Sequence, residues 1–112
     1  MPDVEVHVVR AQLGLAEGTD PRAPGGRVTV ALCGAWDHDP PCRWPHHNEI
    51  VRDGAFHTVF AAPADEVLEV RARIEAALRA DPRWRVLTLE AGTLTEDERA
   101  LGERLRGAAS GE

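Results

Sequence analysis

Apolar and polar residues alternate along the first part of the chain with a period of two, as is typical of half-buried β-strands. Valine occupies every second position from Val4 to Val8, and a second β-branched, alternating run leads to Cys33. The pattern predicts strands over residues 4–10 and 27–33. Residues 11–26 are rich in Gly and Pro and have weak periodicity, so they are predicted to form a long loop.

A hairpin and a helix are predicted from the middle of the sequence. Asp53 and Gly54 stand between two apolar stretches, and both central residues of the favoured hairpin turn need positive φ. This predicts strands near residues 49–52 and 56–61. The next segment begins with Pro63 and repeats apolar residues at helical spacing, which indicates an amphipathic helix. Its apolar stripe consists of Val67, Val70, Ile74 and Leu78.

The last part of the chain adds one strand and one helix. Pro82 ends the helical pattern, and residues 83–90 are predicted to form a fifth strand. Thr95 and Glu98 have the spacing of a capping box, which predicts a helix through about Arg106. Residues 107–112 are rich in Gly and Ala and are predicted to be a disordered C-terminal tail.

These elements follow one another in the order β-β-β-β-α-β-α. The apolar stripe of a helix needs a sheet to cover it. We therefore predict an α+β fold, a two-layer sandwich in which a mixed sheet of four to five strands carries two helices on one face. It forms a single domain over residues 1–106, with long loops at residues 11–26 and 34–47.

Composition and charge exclude several classes of protein. A chain of 112 residues has the size of one domain with a modest core. The net charge of −6, without a basic stripe, argues against binding to nucleic acid and to anionic membranes. The sequence has no apolar leader and no apolar run of about 18 residues, so we expect a cytoplasmic protein with no membrane span.

The residues with the most chemistry are concentrated in one segment. Residues 33–47, CGAWDHDPPCRWPHH, contain five of the seven cysteines and histidines of the chain. Cys33, His38, Cys42 and either His46 or His47 would supply two thiolates and two imidazoles, a standard complement for tetrahedral zinc. The segment is therefore predicted to bind a metal, and this set of ligands favours zinc, although its spacing is looser than that of common zinc motifs.

Four other interpretations of this segment stay open. It could be a solvated loop whose tryptophans fold onto the core. Cys33 and Cys42 could form a disulfide, which a reducing cytosol disfavours. The Cys33 thiolate could instead be reactive beside His38. Trp36 and Trp44 could line a pocket for a small molecule or contact a protein partner.

The sequence thus predicts a small cytosolic zinc-binding α+β domain of unspecified biological role. The alternatives are a small metallo- or thiol-dependent enzyme that acts on a small molecule at the same loop, and a metal-free protein-interaction module. The sequence specifies no reaction, substrate or oligomeric state.

Overall fold

The computed structural model describes residues 3–33, 43–50 and 52–109. None of the helices in these ranges is long and apolar enough to cross a membrane. Short 3-10 turns cover Arg52–Gly54 and Ala64–Glu66. The main elements are β1 (Val4–Leu15), α1 (Ala23–Cys33), β2 (His46–Ile50), β3 (Ala55–Pro63), α2 (Val67–Arg79), β4 (Trp84–Gly92) and α3 (Glu96–Ala109).

The four strands form one sheet in the order β2-β3-β1-β4, and every neighbouring pair is antiparallel. With α1 and α2 as connections, the first six elements follow the β-α-β-β-α-β order of the ferredoxin-like fold. The predicted α+β sandwich is confirmed. The sheet is antiparallel rather than mixed, and a helix stands where the second strand was predicted.

Helices cover both faces of the sheet. The α1 and α2 helices pack together, and the core beneath them includes Val9, Ala11 and Leu13 of β1. On the opposite face α3 lies against β1 and β3. The two predicted helices, α2 and α3, therefore lie on opposite faces of the sheet, and the helix that shares a face with α2 is α1.

Two predictions about the first third of the chain are wrong. The predicted loop over residues 11–26 contains the end of β1 and the start of α1, and the predicted strand over residues 27–33 is helical. In α1 the residues at intervals of four are buried, namely Pro24, Val28 and Leu32, whereas Val30 is 43% exposed. A sequence that alternates Val28, Val30 and Leu32 fits both periods, and packing against α2 selects the helix.

The hairpin was predicted correctly. Its turn residues Asp53 and Gly54 have φ of 64° and 82°, and Ile50 of β2 pairs with Phe56 of β3. A Cβ atom on Gly54 would lie 2.1 Å from the carbonyl oxygen of Leu13. Both the positive φ and this close approach therefore require glycine.

Both predicted helices are also confirmed. All four residues of the α2 stripe are buried, although a 3-10 turn precedes the helix, which begins at Val67 rather than at Pro63. The capping box is formed: the Thr95 amide donates to Glu98 Oε1 at 2.9 Å, and the Glu98 amide donates to Thr95 Oγ1 at 3.2 Å. The α3 helix continues to Ala109, and residues 110–112 of the predicted tail lie outside the described residues.

A part-buried ion pair joins α3 to the sheet. Arg10 of β1 donates from Nη2 to Glu98 Oε1 at 2.6 Å and from Nη1 to Glu98 Oε2 at 3.0 Å. His57 Nδ1 lies 3.7 Å from the same carboxylate. The hydrogen bonds from Arg10 lower the pKa of Glu98 from its ordinary 4.5 to about 2. One carboxylate therefore caps α3 and also joins it to the central strand.

We predict that Gly102→Ala destabilises the protein although alanine is the better helix former. A Cβ atom at this buried position would lie 2.3 Å from Val6 Cγ1. Overpacking of this kind costs about 1–3 kcal/mol, which exceeds the gain of about 1 kcal/mol in helix propensity. Gly107→Ala is the matched control, because nothing lies within 4 Å of its Cβ position. Urea denaturation should show a loss for the first variant and no loss for the second.

We also predict that Glu98 contributes stability at neutral pH that is lost in acid. Its pKa is lower in the folded state than in the unfolded state, so its contribution is complete above about pH 4.5 and disappears as the pH falls toward about 2. Glu98→Gln should cost about 1.5–3 kcal/mol at pH 7 and should flatten the pH dependence of the unfolding free energy over that range. If the unfolding free energy of the variant decreased in acid as steeply as that of the wild type, this assignment would be contradicted.

Candidate functional site

The part of the cluster that the structure describes lies where α1 meets β2. Cys33 ends α1 and His46 begins β2, and both residues are half-buried. Their side chains meet, since Cys33 Sγ lies 3.8 Å from His46 Nδ1. Two members of the predicted site, 13 residues apart in sequence, are therefore in contact.

A polar network continues from this contact into the core. The hydroxyl of Thr58, which is fully buried, donates to Asn48 Oδ1 at 2.8 Å. Asn48 Nδ2 donates to the Gly25 carbonyl at 3.0 Å and to Thr29 Oγ1 at 3.1 Å. The Asn48 amide thereby connects β2 to α1 on one side and to β3 on the other.

This network fixes the tautomer of His46. Its Nδ1 atom is 3.0 Å from the carbonyl oxygen of Trp44, which can only accept, so Nδ1 carries the proton. Thr29 Oγ1 accepts from Asn48, and its own hydroxyl proton points to His46 Nε2 at 3.0 Å. The Nδ1–H group therefore donates to the Trp44 carbonyl, and the same nitrogen lies beside Cys33 Sγ.

Trp44 is a core residue. It is 1% exposed, and its indole N–H donates to Glu66 Oε1 at 2.8 Å. The guanidinium groups of Arg43 and Arg73 lie over its ring at 4.4 and 4.9 Å from the centroid. Such contacts stabilise a tryptophan inside the fold, so Trp44 itself presents no contact surface. Trp36, the other tryptophan of the predicted partner site, lies outside the described residues.

Cys33 is not a free thiol in this structure. Its sulfur is in a disulfide, and none of the described cysteines is free. The only other cysteine in the sequence is Cys42, which lies outside the described residues. The expectation that Cys33 is a thiol or a metal ligand is therefore corrected, because a bonded sulfur is not a thiolate.

The prediction of a metal-binding domain is also corrected. Within residues 3–33, 43–50 and 52–109, no three His, Cys, Asp or Glu side chains come together in a group that could hold a metal ion. His47, exposed and adjacent to His46 on β2, faces the opposite side of the sheet because side chains alternate along a strand. His38 and Cys42, the other two proposed zinc ligands, lie outside the described residues.

Three members of this site were not predicted. Asn48 and Thr58 lie opposite each other on the hairpin strands β2 and β3, and Thr29 belongs to α1. Asn48 is the only asparagine of the chain, which marks it as unusual but does not identify its partners. The side-chain period of β2 offered one usable signal, because Asn48 lies two residues after His46 and therefore faces the same side.

The site is open on one side. A cavity of about 310 Å³ lies between α1 and β2. Its walls include His46, Asn48 and Thr29, together with Arg22 at the rim and Phe56 at the core side. His46 can therefore be approached by a small reagent.

We predict that Asn48→Ala destabilises the domain by about 2–3 kcal/mol, because the fully buried Thr58 hydroxyl and the part-buried Gly25 carbonyl lose their partner. Glu49→Ala is the control, since Glu49 is the next residue of the same strand and is exposed. Its effect should stay within about 0.5 kcal/mol. Urea unfolding provides both values, and equal losses in the two variants would contradict the assigned role of Asn48.

Comparison with known proteins gives no relative from which a role could be transferred. No protein-family model, curated protein or solved structure matches the chain. A function can therefore be argued only from the geometry of this chain.

Proposed function

We propose that this protein is a redox-responsive domain whose Cys33 disulfide is reduced and re-formed as the surroundings change. The observation that carries this proposal is the position of His46, whose Nδ1–H group lies 3.8 Å from the bonded sulfur of Cys33. A proton donor held beside one sulfur of a disulfide makes that sulfur the better leaving group.

The exchange chemistry needs only a dithiol as reductant. Its first thiolate attacks the sulfur bonded to Cys33, the S–S bond breaks, and Cys33 leaves as a thiolate. The second thiolate of the reductant then closes its own disulfide and releases the other protein sulfur. In total, two electrons and two protons pass from the dithiol to the protein. His46 stabilises the negative charge that develops on Cys33 in the first step.

The position of Cys33 allows its redox state to affect the packing of the fold. Cys33 is the last residue of α1, and its neighbour His46 is the first residue of β2. Through Thr29 and Asn48 this contact reaches the fully buried Thr58. Reduction would change what His46 contacts and would thereby loosen the packing of β2 against α1.

The test is to measure the reduction potential of the Cys33 disulfide in dithiothreitol redox buffers, with thiols trapped and counted by mass spectrometry. His46→Phe keeps a ring of similar shape but removes the N–H donor. We predict that the equilibrium constant for reduction falls about tenfold in this variant, which corresponds to a potential about 30 mV more negative. Reduction should also be slower.

One variant serves as the control. His47→Ala changes the exposed neighbour of His46 on β2. It should keep the wild-type potential to within a few millivolts. A wild-type potential below about −300 mV, typical of structural disulfides, or an unchanged potential in His46→Phe, would overturn the proposal.

A further inference from the structure

The β4 strand is an exposed edge of the sheet. It pairs with β1 on one side and is the last strand in the sheet order. It spans nine residues without proline. The opposite edge, β2, is shorter at five residues and follows Pro45. Since short strands and proline are ways to protect an edge, β4 is the edge that can accept another strand.

A β-bulge changes the direction of the side chains along β4. Gln12 pairs with Thr88 and Leu13 pairs with Val86, so Leu87 has no partner in β1. Leu87 is 55% exposed and extends over Gly14, where an added Cβ would lie 3.7 Å from Leu87 Cδ1. Gly14 and Gln12 share the α3 face of β1, so Leu87 and Thr88 both point to that face.

The bulge gives β4 a symmetric pattern of facing directions. The residues that face α1 and α2 are Trp84, Val86, Leu89 and Ala91, and those that face the α3 side are Arg85, Leu87, Thr88 and Glu90. The order in which the side chains face the two sides of the sheet is therefore the same from residue 84 to residue 91 as from residue 91 to residue 84. Because paired residues in an antiparallel ladder point to the same face, a two-fold axis between residues 87 and 88 matches all eight positions. A two-fold axis through residue 87 or through residue 88 would instead pair residues whose side chains face opposite sides of the sheet.

This axis also pairs residues of compatible chemistry. Arg85 comes opposite the second copy's Glu90, and Val86 comes opposite the second copy's Leu89. Neither Arg85 nor Glu90 has an ion pair with any other described residue. Charges and bulges on edge strands often prevent pairing. Charges that block self-association, however, lie opposite like charges when two copies pair. Here each of the two Arg85 side chains would instead lie opposite a Glu90 side chain.

We infer that β4 pairs antiparallel with β4 of a second copy of this chain, which joins the two sheets into one of eight strands. Leu87 is then covered by the second copy's Thr88 and Leu87 around the axis. The inference goes beyond the proposed redox function and does not depend on Cys33.

Sedimentation equilibrium of the full chain tests the pairing and its register. The wild type should form dimers. Arg85→Glu brings two glutamates opposite two glutamates, and Glu90→Arg brings two arginines opposite two arginines, so each variant should dimerise at least about tenfold more weakly. A mixture of the two variants should form a heterodimer of wild-type strength, since every Glu again meets an Arg. The double variant Arg85→Glu/Glu90→Arg should recover self-association for the same reason.

Arg104→Glu is the control for net charge, because Arg104 is exposed on α3, away from the β4 edge; it should dimerise like the wild type. Circular dichroism of each variant verifies folding, and heterodimer formation by the mixture shows that both partners are folded. A wild type that stays monomeric at millimolar concentration overturns the inference. Dimers unaffected by either single reversal, or a mixture no stronger than its components, overturn it as well.

Discussion

The structure depends on the burial of both faces of its central strand. β1 lies between β3 and β4 in the sheet, so its backbone groups are paired on both edges. On one face, alternate residues from Val9 to Leu13 join the core under α1 and α2. On the other face Val8 is buried and Arg10 holds α3 through Glu98. A four-stranded sheet with helices on one side would leave half of this strand in water, and α3 provides the missing cover.

The position of the Cys33 site follows from the crossover between β1 and β2. Because β2 lies at the sheet edge next to β3, α1 must return across the sheet, and its last turn comes to rest near the start of β2. The polar residues at this junction satisfy one another, as buried groups must. Their hydrogen bonds also orient the imidazole of His46, so one network both holds an edge strand and places an imidazole beside a disulfide sulfur.

The two proposals use opposite ends of the sheet order. Cys33 lies near β2, and the pairing surface is β4, with β3 and β1 between them. The two edge strands differ: β2 is short and is held to α1 by side chains, whereas β4 is longer and, among the described residues, pairs with another strand on one side only. A rigid sheet between the two makes it possible to test them separately, because a variant at one edge does not touch the other.

The sequence by itself determined those elements whose signals are local. The positive φ at Asp53 and Gly54, the stripe of α2 and the reciprocal bonds of Thr95 and Glu98 depend on residues within a turn or two of one another. The α+β class followed from them. The cluster at residues 33–47 predicted a metal site first and a disulfide as an alternative; Cys33 is in a disulfide, and the sequence could not choose because the same cysteine can be a metal ligand or form a disulfide.

Only the tertiary structure decided the rest. The run from Val28 to Leu32 satisfies both the strand and the helix period, and contact with α2 chose the helix. Gly14 looked like a loop residue but lies in β1 beneath Leu87. The network that begins at His46 could not be predicted, since its members Thr29, Asn48 and Thr58 come from α1, β2 and β3. The reason is physical: a hydrogen bond between distant elements depends on where the whole sheet places them, and no local period of the sequence records that placement.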